Sequence, residues 1–209
     1  MNFKIFSVYD EKYEKLAELQ KQVFNKFNLE IHQRKLLGKN YTENYNAHGR
    51  VLSEIISNEK QDLFIFFDVD CFPLKDSFLN TLIKKVEDGR TLSGAVGCAN
   101  HIDKNNLYVH PCFIGITKEV FEKAGRPGLS VNDRNDTGQF LTKKCKENNL
   151  KIDYWLPTSC KREKWDLLPL NLKFGHGTVF EESIYHQFEL AKDHRCLEEA
   201  INKCKEILS

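Results

Sequence analysis

Residues 62–74 read DLFIFFDVDCFPL, and this stretch limits what the chain can fold into more than any other. Positions 63–67 are an unbroken apolar and aromatic run, followed by Asp68 and Asp70 with one residue between them. A run this short, bounded by polar residues, suits a strand buried on both faces in the middle of a mostly parallel sheet. A buried helix segment has the same hydropathy, but the aromatic and β-branched content and Pro73 just beyond favour the strand. The two acids then stand where the strand leaves the sheet at its carboxyl end, where open α/β sheets bind ligands. Like charges this close repel unless something positive sits between or beside them. A hard divalent cation, Mg2+ or Mn2+, meets that need, because carboxylate and phosphate oxygens both suit it. Two solvated turn acids are the plain alternative, Asp being a common turn former.

The chain before this strand opens β-α-β. Residues 3–9 alternate as a first strand, and Asp10 and Glu11 start a helix. Tyr13, Leu16, Ala17, Val23, Phe24 and Phe27 recur along that helix as one apolar stripe. Residues 29–32 read as a short second strand, so a parallel pair is expected. No Gly-rich loop follows the first strand, which argues against a dinucleotide site or a P-loop. Residues 38–46 are polar and loop-like, and His48, Val51, Leu52, Ile55 and Ile56 mark a helix ending before Asn58. After Pro73 comes a third helix on Phe78, Leu79, Leu82, Ile83 and Val86, stopped at Gly89. Residues 92–99 read as a strand of small residues and 105–116 as another, broken by Pro111. Thr117 caps a helix that Gly125 ends. Residues 125–136 are loop by composition, 137–148 helical, and 151–156 a strand closed by Pro157. Residues 160–166 read as a charged loop, 182–192 as helical, and Leu197, Ala200, Ile201, Cys204, Ile207 and Leu208 as a closing helix.

LFIFFDVDCFPL, and the order of elements over most of the chain, resemble the glycosyltransferases of the GT-A fold. In that family an Asp-x-Asp motif binds the ribose and, through a divalent metal, the diphosphate of a nucleotide sugar. The resemblance implies a single α/β GT-A-like domain over residues 1–209, with a central, mostly parallel sheet flanked by helices. It implies a metal-dependent, hexosyltransferase-like enzyme that moves a sugar from a nucleotide diphosphate donor, a UDP-sugar, to an acceptor hydroxyl on a glycan or other molecule. Asp70 would bind Mn2+ or Mg2+, and Asp68 the ribose or a metal-bound water.

Further positions follow from the same likeness. His186, in IYHQF, resembles the histidine near the C-terminus that completes the metal's shell in many members, and His176 between two glycines is the alternative. Tyr9 and Asp10 match the strand end that meets uracil, although an aromatic strand end and a helix cap account for them equally. His48, Gly49 and Arg50 match a helix start near the nucleotide, or a plain surface helix start. Asp136, in NDTGQ, resembles the general base of inverting members, with Asp133 the nearby alternative. Asp followed three residues later by Gln is also a capping-box pattern. HPCFIGITKEVFEKAG resembles the stretch that builds the sugar and acceptor pocket. Trp155 and Trp165 suit an acceptor site or a core. A haloacid-dehalogenase-like phosphatase also puts Asp-x-Asp after a hydrophobic strand, but nearer the N-terminus, and Phe72 fits its pattern poorly. A non-catalytic sugar-nucleotide-binding module is the remaining reading.

Composition excludes other classes. A formal net charge of +1 over 209 residues gives no general argument for nucleic acid as partner. No run approaches the length of a transmembrane segment. The 7 cysteines are scattered without C-x-x-C spacing, so a zinc framework or a set of disulfides is not expected, and a reducing cytoplasmic setting is.

Overall fold

A computed structural model describes the chain except for residues 38–40, 100–101, 104 and 133, and the side chains of 41–46. Asp133 therefore lies outside the described residues. The elements are, in order, β1 (Phe3–Asp10), α1 (Glu14–Lys26), β2 (Ile31–Leu36), α2 (Tyr41–Asn58), β3 (Leu63–Asp68) and β4 (Cys71–Pro73). Next come α3 (Ser77–Val86), β5 (Thr91–Cys98), β6 (Leu107–Thr117), α4 (Lys118–Lys123) and α5 (Gln139–Glu147). The chain continues through β7 (Lys151–Trp155), β8 (Pro157–Leu167), β9 (Leu172–Phe180), β10 (Ile184–His186) and α6 (His194–Leu208).

Among the described residues the strands make a 6-stranded sheet in the order β2-β1-β3-β6-β5-β7 and a 4-stranded sheet in the order β4-β10-β9-β8. In the first, β1 pairs in parallel with β2 and β3, and β5 with β7, while β6 runs against both its neighbours. The central sheet is thus mostly parallel, as the buried run at 63–67 implies.

That run is apolar throughout because β3 is covered on both faces. Leu63, Ile65 and Phe67 point into one core with α3 residues Phe78, Leu82 and Val86. Phe64 and Phe66 point into the other, with Leu52, Ile55 and Ile56 of α2 and Val120 and Phe121 of α4. Alternation along a strand sends neighbours to opposite faces, so a two-sided core needs no polar positions. Phe67 closes the first core, its ring 4.9 Å from that of Phe113 and 5.0 Å from that of Phe24. Burying one such ring contributes about 2–3 kcal/mol.

The structure departs from the sequence reading in several elements. The second strand is 31–36 rather than 29–32, and α2 starts at Tyr41, inside the stretch read as loop. Pro111 does not break β6, because it lies where the β5–β6 register shifts, between Gly94 and Val96, and past the last β3 pair at Phe113. A residue without an N–H loses no ladder bond there. The charged stretch 160–166 is not a loop but the body of β8, paired along β9. As the outer strand of its sheet it turns its charges to solvent, which is how edges are kept from further pairing. Residues 182–192 are not helical. Positive φ at Glu181, Glu182 and Glu189 (45°, 52° and 68°) stops a helix at both ends, and Ile184–His186 is buried between β4 and β9.

Candidate active site

The Asp68-Val69-Asp70 turn is the junction of the two sheets. Asp68 is the last residue of β3 in the first sheet, and Asp70 directly precedes β4 in the second. Both carboxylates are held at the mouth of a cleft of about 780 Å3 that opens along this junction. The turn is pinned from behind by Gln20 of α1, which donates to the carbonyls of Asp68 (2.7 Å) and Cys71 (3.0 Å). Gln20 is fully buried and sits within the apolar stripe of α1. A polar residue in a stripe that otherwise reads Leu16, Ala17, Val23 and Phe24 was the available signal for this role, and sequence reasoning passed over it.

Each acid faces a histidine. His48 of α2 places Nε2 3.3 Å from Asp68 Oδ1, and His186 of β10 places Nε2 3.2 Å from Asp70 Oδ1. His186 arrives there because β10 pairs antiparallel with β4, His186 opposite Cys71, and the Gln187 N–H bonds the Asp70 carbonyl at 3.0 Å. Burial pushes the Asp68 carboxyl above its ordinary range, with Asp70 adding to the shift and His48 opposing it. Burial also works against a charge on His186, but Cys112 and Asp70 outweigh it and hold the imidazole well above its usual value. A proton on that ring answers the repulsion between the acids, and a cation must displace it to bind. Asp68, Asp70 and His186 each offer a ligand atom, all within 4.8 Å of one another. Two carboxylates and one imidazole are a donor set that fits Mn2+ or Mg2+ with positions left over for other oxygens.

Asp136 stands on the same cleft. It does not open α5, whose N-cap is Gly138 at φ 79°. Half of the expected capping box is present, the Asp136 N–H donating to Gln139 Oε1 at 2.8 Å. The Asp136 carboxylate instead accepts from the Thr137 N–H (2.8 Å, Oδ1) and from the Tyr108 hydroxyl (3.0 Å, Oδ2). Tyr9 and Asp10, at the end of β1, line the cleft too, and Asp10 also accepts from the Lys12 N–H at 3.2 Å.

The other residues singled out in the sequence divide. His48 reaches Asp68, whereas Arg50 is exposed and pairs with Glu54 at 3.7 Å. His176 bonds Glu189 and Arg162, each at 2.8 Å, away from the two acids of the turn. Trp165 lines the cleft beside Phe174 and Phe188. Trp155 does not: it is fully buried against Phe113, its Nε1–H donating to Ser93 Oγ at 2.9 Å. His110 and Cys112 on β6, in the stretch likened to a sugar and acceptor pocket but not singled out there as ligands, bring ligand atoms within 4.8 Å of that of His186.

No protein-family model matches the chain, and no curated protein matches it in sequence. Solved structures do resemble it. The galactosyltransferase LgtC, solved with donor and acceptor sugar analogues, gives a TM-score of 0.56 at 12% identity, over 98% of this chain and 95% of its own. A mutant Drosophila β1,4-galactosyltransferase 7, solved with manganese, UDP-Gal and xylobiose, gives 0.53 at 13% identity, over 93% of this chain and 74% of its own. The mannosyltransferase PcManGT of Pyrobaculum calidifontis, solved with GDP-Man and Mn2+, gives 0.51 at 8% identity, over 73% of this chain and 54% of its own. These are GT-A glycosyltransferases, and the chain has their fold. Among the described residues no helix is long and apolar enough to cross a membrane.

Proposed function

We propose that the chain is a metal-dependent glycosyltransferase that moves a sugar from a UDP-sugar to an acceptor hydroxyl. The observation that carries this reading is the convergence of Asp68, Asp70 and His186 at the sheet junction, on a cleft whose wall also holds Asp136, Tyr9 and Asp10. The fold shared with LgtC and β1,4-galactosyltransferase 7 supports it.

Asp70 and His186 would hold Mn2+ or Mg2+, and Asp68, steadied by His48, would meet the ribose or a metal-bound water. A cation bound there supplies Lewis-acid stabilisation of charge on the departing diphosphate. Tyr9 and Asp10 receive the uracil at the end of β1. Asp136 takes the proton of the acceptor hydroxyl. The Thr137 N–H and the Tyr108 hydroxyl hold its carboxylate in one orientation on the cleft wall. Trp165, with Phe174 and Phe188, offers an aromatic surface for the acceptor sugar.

The test is Mn2+ titration with and without UDP, followed by turnover of a nucleotide-sugar panel. Mn2+ should bind weakly alone and much more tightly with UDP, and UDP should outcompete GDP. Asp70→Asn should abolish the coupling and the transfer, because it removes charge at nearly constant shape. His186→Ala should weaken the coupling less, since water can replace an imidazole. Unchanged Mn2+ and UDP binding in Asp70→Asn, or phosphate release from a monoester with no sugar transfer, refutes the reading.

A further inference from the structure

Beside the two acids lies a second group of metal-ligating side chains with a different chemistry. His110 and Cys112, two residues apart on β6, and His186 on β10 offer ligand atoms that all lie within 4.8 Å of one another. Cys112 is fully buried and His186 3% exposed. The His110 and His186 rings stand 5.7 Å apart, and both line the cleft, which gives a cation a way in. His186 is common to both groups. Its Nε2 faces Asp70, while its Nδ1 is buried with no hydrogen-bond partner among the described residues.

We propose that His110, Cys112 and His186 form a site for a borderline-soft divalent cation, Zn2+, which competes with the harder Asp68–Asp70 site for His186. One thiolate and two imidazoles are a donor set that prefers Zn2+ over Mg2+ or Mn2+. Zn–S and Zn–N bonds of about 2.3 and 2.0–2.1 Å put tetrahedral ligands about 3.4–3.6 Å apart, so atoms that lie within 4.8 Å of one another close by about 1.4 Å at most. The fourth position faces the cleft and takes water. On binding, the Cys112 thiol and the protonated His186 ring each lose a proton to solvent, and nothing is oxidised or reduced.

The orphaned Nδ1 is the ligand atom this arrangement gives to His186. Nε2–H then donates to Asp70, the pairing by which carboxylates commonly orient zinc-bound histidines. Asp70 becomes the support of a zinc ligand instead of a ligand itself, and the hard site loses two of its three side chains. His110 must give up the bond its Nδ1 accepts from the Cys112 N–H at 3.1 Å, which sets a cost on occupancy. Inhibition of transfer by Zn2+ rests on the donor site proposed above, whereas Zn2+ binding itself does not.

The experiment uses Co2+ as a spectroscopic stand-in for Zn2+, on the whole chain without nucleotide. Wild type should give a thiolate-to-cobalt charge-transfer band that saturates at one equivalent and is bleached by Zn2+. Asp70→Asn should keep the band. Cys112→Ser should lose it with its near-ultraviolet circular dichroism unchanged. His110→Ala, a change at the cleft wall that spares the buried thiol, should weaken Co2+ binding by at least about tenfold. In a second arm, Zn2+ should raise the apparent Kd of Mn2+ in the presence of UDP for wild type and not for Cys112→Ser. No band in wild type overturns the site, as does a band that survives in Cys112→Ser, which belongs to another thiol, or His110→Ala binding as well as wild type. A band that is present while the second arm shows no coupling overturns the competition. A failure of the UDP reading leaves the cobalt band untouched.

Discussion

Replacing Gly49 by alanine sets two effects of opposite sign against each other. Within a helix, Ala is favoured over Gly by about 0.8–1 kcal/mol, so propensity alone predicts a more stable protein. The packing of α2 predicts the reverse. A Cβ at Gly49 would stand 2.4 Å from the Leu129 carbonyl oxygen and 2.6 Å from its carbon and from Ser130 Cα, all backbone atoms. Ordinary contact needs about 1 Å more, and that backbone is tied down. Ser53 Oγ donates to the Gly49 carbonyl and accepts from the Leu129 N–H, both at 3.0 Å, and Leu129 O accepts from the Gly138 N–H at 3.0 Å. Overpacking costs about 1–3 kcal/mol, and each of the two bonds on Leu129 is worth about 1 kcal/mol if stretched away. After the propensity gain the net loss is about 2 kcal/mol. For a chain of this size that lowers Tm by about 4–8 °C. Thermal unfolding followed by circular dichroism reads it directly. A Tm equal to or above wild type would show that helix and loop are not in the contact described, and with it would go the support that seats both His48 and Asp136.

Two further outcomes follow from the same structure. Asp136→Asn keeps shape and the acceptor for the Thr137 N–H but cannot take a proton, so single-turnover transfer should fall at least about a hundredfold while UDP affinity holds; full activity in the folded variant leaves Asp136 a turn residue. Glu199 on α6 ties down β8 through Lys161 and Arg162, both at 2.9 Å. Burial raises its carboxyl, but Lys161 and Arg162 outweigh that and lower it below the ordinary 4.5. A carboxyl depressed in the folded state stabilises above its unfolded value and loses that contribution as pH falls through the folded one. The urea-midpoint gap between wild type and Glu199→Gln should therefore be widest at neutral pH and close below about pH 4; a gap that stays constant refutes the linkage.

The sequence by itself determined those features whose cause is local. An apolar run covered on both faces cannot be disguised, so β3 and the two acids at its end were legible from thirteen residues. The amphipathic periods of α1, α3 and α6 were legible for the same reason, since each stripe is written in one segment. The tertiary structure alone decided what depends on pairing between distant segments. Residues 160–166 look like a charged loop because an edge strand shows its partner on one side only, and that partner, β9, follows it in the chain. The three residues of β10 carry no period long enough to read, and it is their register against β4 that sets His186 opposite Cys71 and Asp70. Gln20 was invisible as a site residue, and His110 and Cys112 were legible only within a stretch resembling a sugar and acceptor pocket and not as ligands, because nothing near them in the chain needs them. Their partners lie 48, 76 and 74 positions away, at Asp68 and at His186, and only the folded backbone brings those groups within reach.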